Sequence, residues 1–377
     1  MRVLLIGEFS RLHNSLKEGL LALGHTVILV SNGDDFKNYP MDWSTKPIFF
    51  ETKFGTFLRK VFFKITEFDL SQLEIAVRFY GHLKKMNGFD VVQLINEAAI
   101  QTTPLFERYF LKQIIKHNKK LFLLCCGVDY NVMNHMIQKK ERYSILNQYF
   151  ENKNSISEFD FMFDFISKNH KKTHDLIYQN CTGIIASDLD YVNPIKNYSR
   201  YLGMISNPIN IEKIHYIENL IQDKIIIFLG INRNTYHSKG IVFFEKALEI
   251  IKHNYPNKIE IIITENIPYI DYVKKYNMAH ILLDQVYSFD QGYNALEAMG
   301  KGKVVFTGAE KEFESYYNLT ETVAINALPD TDYLVEKLSF LIENPNEIIA
   351  IGIRARFFIE QEHDYLKSAE KYIDVWK

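Results

Sequence analysis

A rhythm constrains this chain more than any other feature: short apolar runs of strand length alternate with longer segments of helical period. The runs are Val3 to Ile6, Thr26 to Val30, Val91 to Ile95, Leu121 to Cys125 and Gly183 to Ala186. That alternation is the mark of a parallel sheet wrapped by helices. It restarts after Asn207-Pro208-Ile209, with Ile225 to Leu229, Ile259 to Ile263, His280 to Leu283, Lys303 to Phe306 and Thr322 to Ile325. A proline in the stretch Ser206-Asn207-Pro208-Ile209-Asn210, with an asparagine just before it and another two residues on, disfavours continuing a helix or a central strand. The sequence therefore predicts two α/β domains, residues 1–207 and 208–377. The tail from Asp330 to Lys377 reads as helical, broken near Asn344-Pro345, with its last segment expected to pack back toward the first domain. No fixed-period repeat is present, which excludes solenoids and propellers.

Composition narrows the function classes. The chain carries 44 basic and 46 acidic residues, a net charge of −2, so no global field marks a nucleic-acid binder. Three cysteines, Cys125, Cys126 and Cys181, are too few and too badly spaced for a disulfide framework or a zinc site, which fits a reducing cytoplasm. The start, Met1 to Gly7, lacks the long apolar stretch of a signal peptide, and no run approaches a membrane span, so any membrane contact is expected to be peripheral. One segment stands out in that respect. From Lys53 to Ile65, apolar residues fall at Phe54, Phe57, Leu58, Val61, Phe62 and Ile65, and Lys53, Arg59, Lys60 and Lys64 bring four positive charges with no acid. Such a helix either packs its phenylalanines on the sheet and solvates its lysines, or rests on anionic lipid headgroups.

The stretch from Asp284 to Val305 is the richest in chemistry. It reads as a strand end, a loop with Gly292, a short helix and a glycine turn into the next strand. A helix start offers free backbone N–H groups and the positive end of a dipole, which suits a phosphate. Glu297, about one turn on, either accepts hydrogen bonds from a ribose diol or complements its own helix. A second cluster follows Ile225 to Leu229, where Gly230 lets the backbone turn at a strand end and Arg233 and Lys239 bring a guanidinium fork and an ammonium point charge suited to a diphosphate.

These two clusters together resemble the nucleotide-sugar glycosyltransferases of the GT-B fold, and within them the retaining glycosyltransferase family 4. The matching residues are Gly230, Arg233 and Lys239-Gly240, then Gly292, Glu297-Ala298-Met299 and Gly302-Lys303. The likeness is specific over residues 225–308 and extends to the whole chain in layout. It implies two Rossmann-like domains facing across a cleft, the donor nucleotide on the second and the acceptor on the first. It also implies that Arg233 and Lys239 neutralise the donor diphosphate, that Glu297 holds the ribose hydroxyls, and that backbone amides of Tyr293, Asn294 and Ala295 face the distal phosphate. No metal or other cofactor is expected, because cations and a helix dipole do that work.

The sequence departs from the family pattern at two places. Many members carry a glutamate at the position of Phe289, so a contact to the donor sugar is missing here or supplied by Asp284, Gln285 or Asp290. A His-Gly-x-Asp turn common in the first domain reads Cys126-Gly127-Val128-Asp129, in which Asp129 lies near the transferred sugar or simply caps a helix. Gly7, Glu8, Phe9 and Ser10 are expected to border the acceptor, the glycine permitting close approach to the donor. Asn96 and Glu97, at a second strand end, either bind an acceptor hydroxyl or cap. Asp188-Leu189-Asp190 looks like a metal-binding Asp-x-Asp and is read as a decoy, and His170 and His174 as members of a solvated basic helix face.

The expected reaction is retaining transfer of a sugar from a nucleoside diphosphate donor to a glycan or lipid-linked acceptor, in bacterial cell-surface polysaccharide or lipopolysaccharide synthesis at the cytoplasmic face of the membrane. Two other readings remain open: a nucleotide-sugar epimerase of the same fold, and a degenerate protein that binds donor or a partner without catalysis.

Overall fold

The computed structural model describes every residue except 35, 36, 67, 152–156, 266 and 268. Two parallel sheets organise the chain. The first contains β1 (Arg2–Ile6), β2 (Thr26–Ser31), β3 (Trp43–Ser44), β4 (Val91–Leu94), β5 (Lys120–Cys125), β6 (Gly183–Ala186) and β7 (Tyr201–Met204), in the order β3-β2-β1-β4-β5-β6-β7. The second contains β8 (Ile225–Ile231), β9 (Ile259–Glu265), β10 (Ile281–Leu283), β11 (Val304–Thr307) and β12 (Ile325–Asn326), in the order β12-β11-β10-β8-β9. Both are doubly wound: chain order reverses between β1 and β4 in one and between β8 and β10 in the other. Ligands of open α/β sheets bind at such switch points, outside the carboxyl ends of the strands.

By contacts the chain divides into two compact units. One holds residues 1–134, 162–208 and 365–377, and the other holds residues 135–161 and 209–364. In the first unit β1 and β4 to β6 are buried almost end to end, and β1 lies in register with β2 and β4 through Val3↔Val27 and Val3↔Val91. Right-handed crossovers then place the helix Leu12–Ala22 on one face and the helices Pro104–His117 and Lys168–Asn180 on the other. The last helix, Tyr365–Trp376, packs on Leu12–Ala22 so closely that a Cβ at Gly19 would stand 2.4 Å from Tyr365 O. Its Trp376 is buried, 6.2 Å from the ring of Phe122 on β5.

In the second unit the strand period of two is visible on β8. Ile225, Ile227 and Leu229 join a core with Phe244 and Leu248 of the helix Ile241–Asn254 and with Leu334 and Leu338 of the helix Thr331–Glu343. Phe228 points the other way, edge-on to Tyr272 and Tyr276 of the helix Tyr269–Met278. The tail holds three helices, Thr331–Glu343, Pro345–Glu362 and Tyr365–Trp376. The break at Asn344-Pro345 falls where the sequence places it, and a second break follows at His363-Asp364, where Ile209 N–H donates to His363 O.

The segment carrying the basic period is a helix, Lys53–Thr66, and its stripe is not packed on the sheet: Phe54, Phe57, Val61 and Ile65 are all exposed.

Candidate functional site

Leu283, the last residue of β10, pairs in register with Leu229 of β8, two residues before β8 ends, so the residues after β10 emerge beside the carboxyl end of β8 at the switch point. Asp284 is the hub of what gathers there. It is buried; Lys239 Nζ donates to its Oδ1 at 2.8 Å, Asn294 Nδ2 to the same oxygen at 3.2 Å, and Thr307 Oγ1 to Oδ2 at 3.4 Å. A Cβ at Gly292 would stand 3.7 Å from Gln285 Nε2 and 4.0 Å from Asp284 Oδ2. The structure thus brings Lys239, Asp284, Gln285, Gly292 and Asn294 into one cluster.

Gly292 is the N-cap of the helix Tyr293–Gly300 and offers no side chain to cap it. Tyr272 OH donates to Asn294 Oδ1 at 3.3 Å and Tyr276 OH to Asn294 O at 3.1 Å, fixing the first turn from the neighbouring helix. Ala295 is buried in that turn, Tyr293 is half-buried, and Glu297 follows half-buried one turn on. Its charge acts on Lys301 at the end of the same helix.

Arg233 stands apart from this cluster. It lies in a short 3-10 turn, Arg233–Thr235, stacked 4.9 Å over the ring of Tyr236, and is held bidentately by Glu265 at 2.8 and 2.6 Å. This exposed pairing pushes the Glu265 carboxyl below its usual value. Gly230 departs from expectation: it lies inside β8 and makes no turn, and a Cβ there would press within 2.8 Å of Tyr272. The turn is made by Gly240 at φ 66°, where a Cβ would come within 2.3 Å of Val286 Cγ2. Between them, Glu158 accepts the N–H of His237 and Ser238 at 2.9 and 2.8 Å, which ties residues 135–161 to this loop.

Phe289 is part of the same packing. Buried, it stacks on Tyr143 at 5.1 Å with the Arg142 guanidinium 4.8 Å above its ring. A glutamate there would face the ring of Tyr143, and the carboxylates that hold these neighbours are Glu310, bonded to Tyr143 OH, and Glu312, bidentate with Arg142. Asp290 Oδ1 accepts the Gln291 N–H at 2.8 Å. Between Thr264 and Tyr269, Asn266 and Pro268 lie outside the described residues.

The first unit has its own cluster at the β1/β4 switch point. Gly7 adopts φ 85°, and a Cβ would meet Ile95 Cγ2 at 2.4 Å and Ala99 O at 2.7 Å. Its close approach is thus to the chain's own loop after β4. Glu8 is buried at the start of the helix Leu12–Ala22, where it accepts the Asn14 N–H at 2.8 Å and Asn14 Nδ2 at 2.6 Å; burial nevertheless pushes its carboxyl up to about 8. Phe9 and Ser10 are half-buried, and Ser10 N–H donates to Asp34 Oδ2 at 2.7 Å. Asn96 closes a turn by accepting the Ala98 N–H at 2.8 Å.

Asp129 accepts the Val132 N–H at 2.8 Å as a helix cap, while its Oδ2 has no hydrogen-bond partner among the described residues. Burial, and then the Glu97 charge, push its carboxyl up to about 7. Glu97 Oε1 lies 2.7 Å from His174 Nδ1. His174 is therefore not on a solvated face: it is buried, its ring 4.6 Å from that of Tyr130 and 4.1 Å from that of Tyr178. Sequence reasoning missed this pair, since 77 residues separate its members and no local pattern links them. Asp188 Oδ1 accepts the Asp190 N–H at 3.1 Å, so the Asp-x-Asp closes a turn on itself.

Burial pushes Glu97 up to about 8 from 4.5, and His174 down to about 4 from 6.5. The fold favours the neutral form of both. The Glu97 contribution to stability is full below its unfolded value and is lost as pH rises through about 8. The His174 contribution is present above 6.5 and is lost as pH falls through about 4. Between pH 6.5 and 8 only the first acts, so the melting midpoint of the protein is expected to fall across that window. Glu97→Gln is expected to flatten the fall in thermal melts over the same pH range, with Glu8, Glu107 and Asp129, whose carboxyls burial also raises, maintaining a residual slope.

Residues 233–374 match a family model described as glycosyl transferase-like. No curated protein sequence matches the chain. Among solved structures, sucrose-phosphate synthase from Thermosynechococcus elongatus is similar over 100% of this chain and 98% of its own, with a TM-score of 0.61 and 13% identity. HepE of Anabaena in complex with UDP-glucose is similar over 99% of this chain and 98% of its own, with a TM-score of 0.57 and 10% identity. The UDP-GlcNAc 2-epimerase of Neisseria meningitidis bound to UDP-GlcNAc is similar over 100% of this chain and 99% of its own, with a TM-score of 0.51 and 12% identity. With its two doubly wound parallel sheets matched along the full length, the chain has the α/β fold of the GT-B glycosyltransferases.

Proposed function

We infer that the protein is a glycosyltransferase of the retaining family 4 type, moving a sugar from a nucleoside diphosphate donor to an acceptor hydroxyl. The observation that carries this reading is the Lys239–Asp284 pair set beside the helix start at Gly292, at the β8/β10 switch point. A departing nucleoside diphosphate gains charge as the glycosidic bond breaks. An ammonium held by a buried carboxylate and the positive end of a helix are then in place to stabilise that charge. Arg233 adds a second cation once the diphosphate competes with Glu265 for its guanidinium, and Glu297 receives the ribose hydroxyls. Cations and a dipole suffice for the phosphates, so the reaction needs no metal, and turnover is expected to persist in the presence of a chelator. The first unit supplies the acceptor side from Gly7, Glu8, Phe9, Ser10, Asn96 and Glu97, with Asp129 beside the transferred sugar. The acceptor is a glycan or lipid-linked glycan of bacterial cell-surface polysaccharide or lipopolysaccharide synthesis, handled in the cytoplasm.

The test is a calorimetric and thermal-shift screen of UDP, GDP, ADP and their sugar conjugates against the protein and Glu297→Ala. Selective stabilisation by one nucleotide, lost in the variant, supports the donor site and names the base. No stabilisation by any of them counts against it. Phe289, packed on Tyr143 where many relatives carry a glutamate, supports a second reading in which donor binds without transfer. Donor binding without nucleotide release in the presence of acceptor glycans would favour that reading, and an epimerised sugar formed without acceptor would favour an epimerase.

A further inference from the structure

The helix Lys53–Thr66 turns its apolar stripe to solvent. Phe54 is 64% exposed, Phe57 62%, Val61 44% and Ile65 77%. At about 100° per residue these four positions fall within a sector of roughly 80°. Lys53, Lys60 and Lys64 fall in a second sector along one edge of the stripe by the same spacing, and the helix contains no acid. None of these three lysines has a hydrogen-bond or ion-pair partner among the described residues. The fourth cation is spoken for, because Arg59 is bidentate with Asp69 at 2.5 Å.

The outward face is fixed by its anchors rather than left loose. Glu74, on the next helix Ser71–Leu83, accepts the N–H groups of Ile48, Phe49 and Phe50 at 2.8 to 3.0 Å, and Thr56 Oγ1 donates to Phe50 O at 3.2 Å. Gly55, the one buried residue of the helix, lies against Phe49. Ile48 and Phe49 in the anchored loop are themselves exposed and extend the apolar surface. No helix among the described residues is long and apolar enough to cross a membrane.

We propose that this face docks the protein on an anionic lipid bilayer, the phenylalanine stripe entering the headgroup boundary and Lys53, Lys60 and Lys64 lying at the level of the phosphates. Charge selects the occupant. A second copy of the same face would bring like charges together, whereas an anionic bilayer offers both the apolar layer and the opposite charge. The docking does not depend on the transferase reading and is tested without any sugar substrate.

The full chain is floated with vesicles of equimolar phosphatidylglycerol and phosphatidylcholine, and with phosphatidylcholine alone, at low and high salt. The expected result is binding to the anionic vesicles that weakens with salt. Lys60→Glu/Lys64→Glu is expected to lower that partition more than about thirtyfold, since each basic charge near an anionic surface contributes roughly a fivefold factor. Phe57→Ser/Val61→Ser is expected to weaken it with charge unchanged. All four residues are exposed, and thermal melts of the variants check that the fold is kept. Equal partition onto both vesicle types, or unchanged partition of the charge-reversed variant, overturns the proposal. So does a stable dimer in light scattering that Phe57→Asp converts to monomer.

Discussion

Replacing Lys239 by alanine is expected to lower turnover about a hundred- to a thousandfold, the scale on which a single preorganised charge-stabilising donor acts. The ammonium is a third exposed, close enough to solvent for a ligand to reach it, while Asp284 is buried beneath it at 2.8 Å. The same substitution leaves a buried carboxylate with Asn294 and Thr307 as its side-chain donors among the described residues. It is therefore expected to cost some stability as well, discounted by the exposure of the lysine. The two effects separate in the double variant Lys239→Ala/Asp284→Asn. Removing the buried charge is expected to restore the melting midpoint without restoring turnover, read by thermal melts and steady-state kinetics side by side. Full turnover in Lys239→Ala would remove the assignment of this cluster.

Gly7→Ala is expected to produce the largest stability loss. At φ 85° any side chain is strained, and here the new Cβ would also meet Ile95 Cγ2 at 2.4 Å and the carbonyl of Ala99 at 2.7 Å. The isoleucine methyl can rotate away, but the backbone oxygen cannot without moving the loop after β4. Strain and overpacking together amount to roughly 3 kcal/mol or more. Gly24 supplies the control: at φ 80° a Cβ added there would have nothing within 4 Å, so Gly24→Ala carries the conformational strain alone, about 1 kcal/mol. Denaturant midpoints of the two variants should differ accordingly. Equal losses would mean that the loop after β4 yields freely.

Every strand of the two sheets that is continuously apolar was legible in the sequence, because a strand buried on both faces has no polar position to disguise it. β3 and β7 were not. Trp43–Ser44 is only two residues long, and Tyr201–Met204 is a half-exposed strand with a glycine at its third position, so neither presents an apolar run. Around Gly292 the glycine spacing and the following glutamate were enough to mark a helix start, and the fold places it at a switch point. What one dimension hides is partnership across distance. Asp284 as the hub for Lys239, Asn294 and Thr307, Glu265 as the holder of Arg233, and His174 beneath Glu97 are all pairings between separate elements. The Lys53–Thr66 helix shows the same limit in reverse. Its period announces an apolar face, but a period is identical whether that face meets a sheet or water.

The last helix bears on how the chain reaches this state during synthesis. Tyr365–Trp376 lies in the first unit, against Leu12–Ala22 and Phe122, although a ribosome makes it after residues 209–364. Residues 209–364 are complete, apart from the early segment 135–161 that is already available, before Trp376 emerges. The half whose strands are translated first is thus the half that closes last, its groove beside Gly19 open until residues 365–376 have been made. Vectorial folding, which usually runs from the amino end, is inverted here by the twelve residues of the helix Tyr365–Trp376.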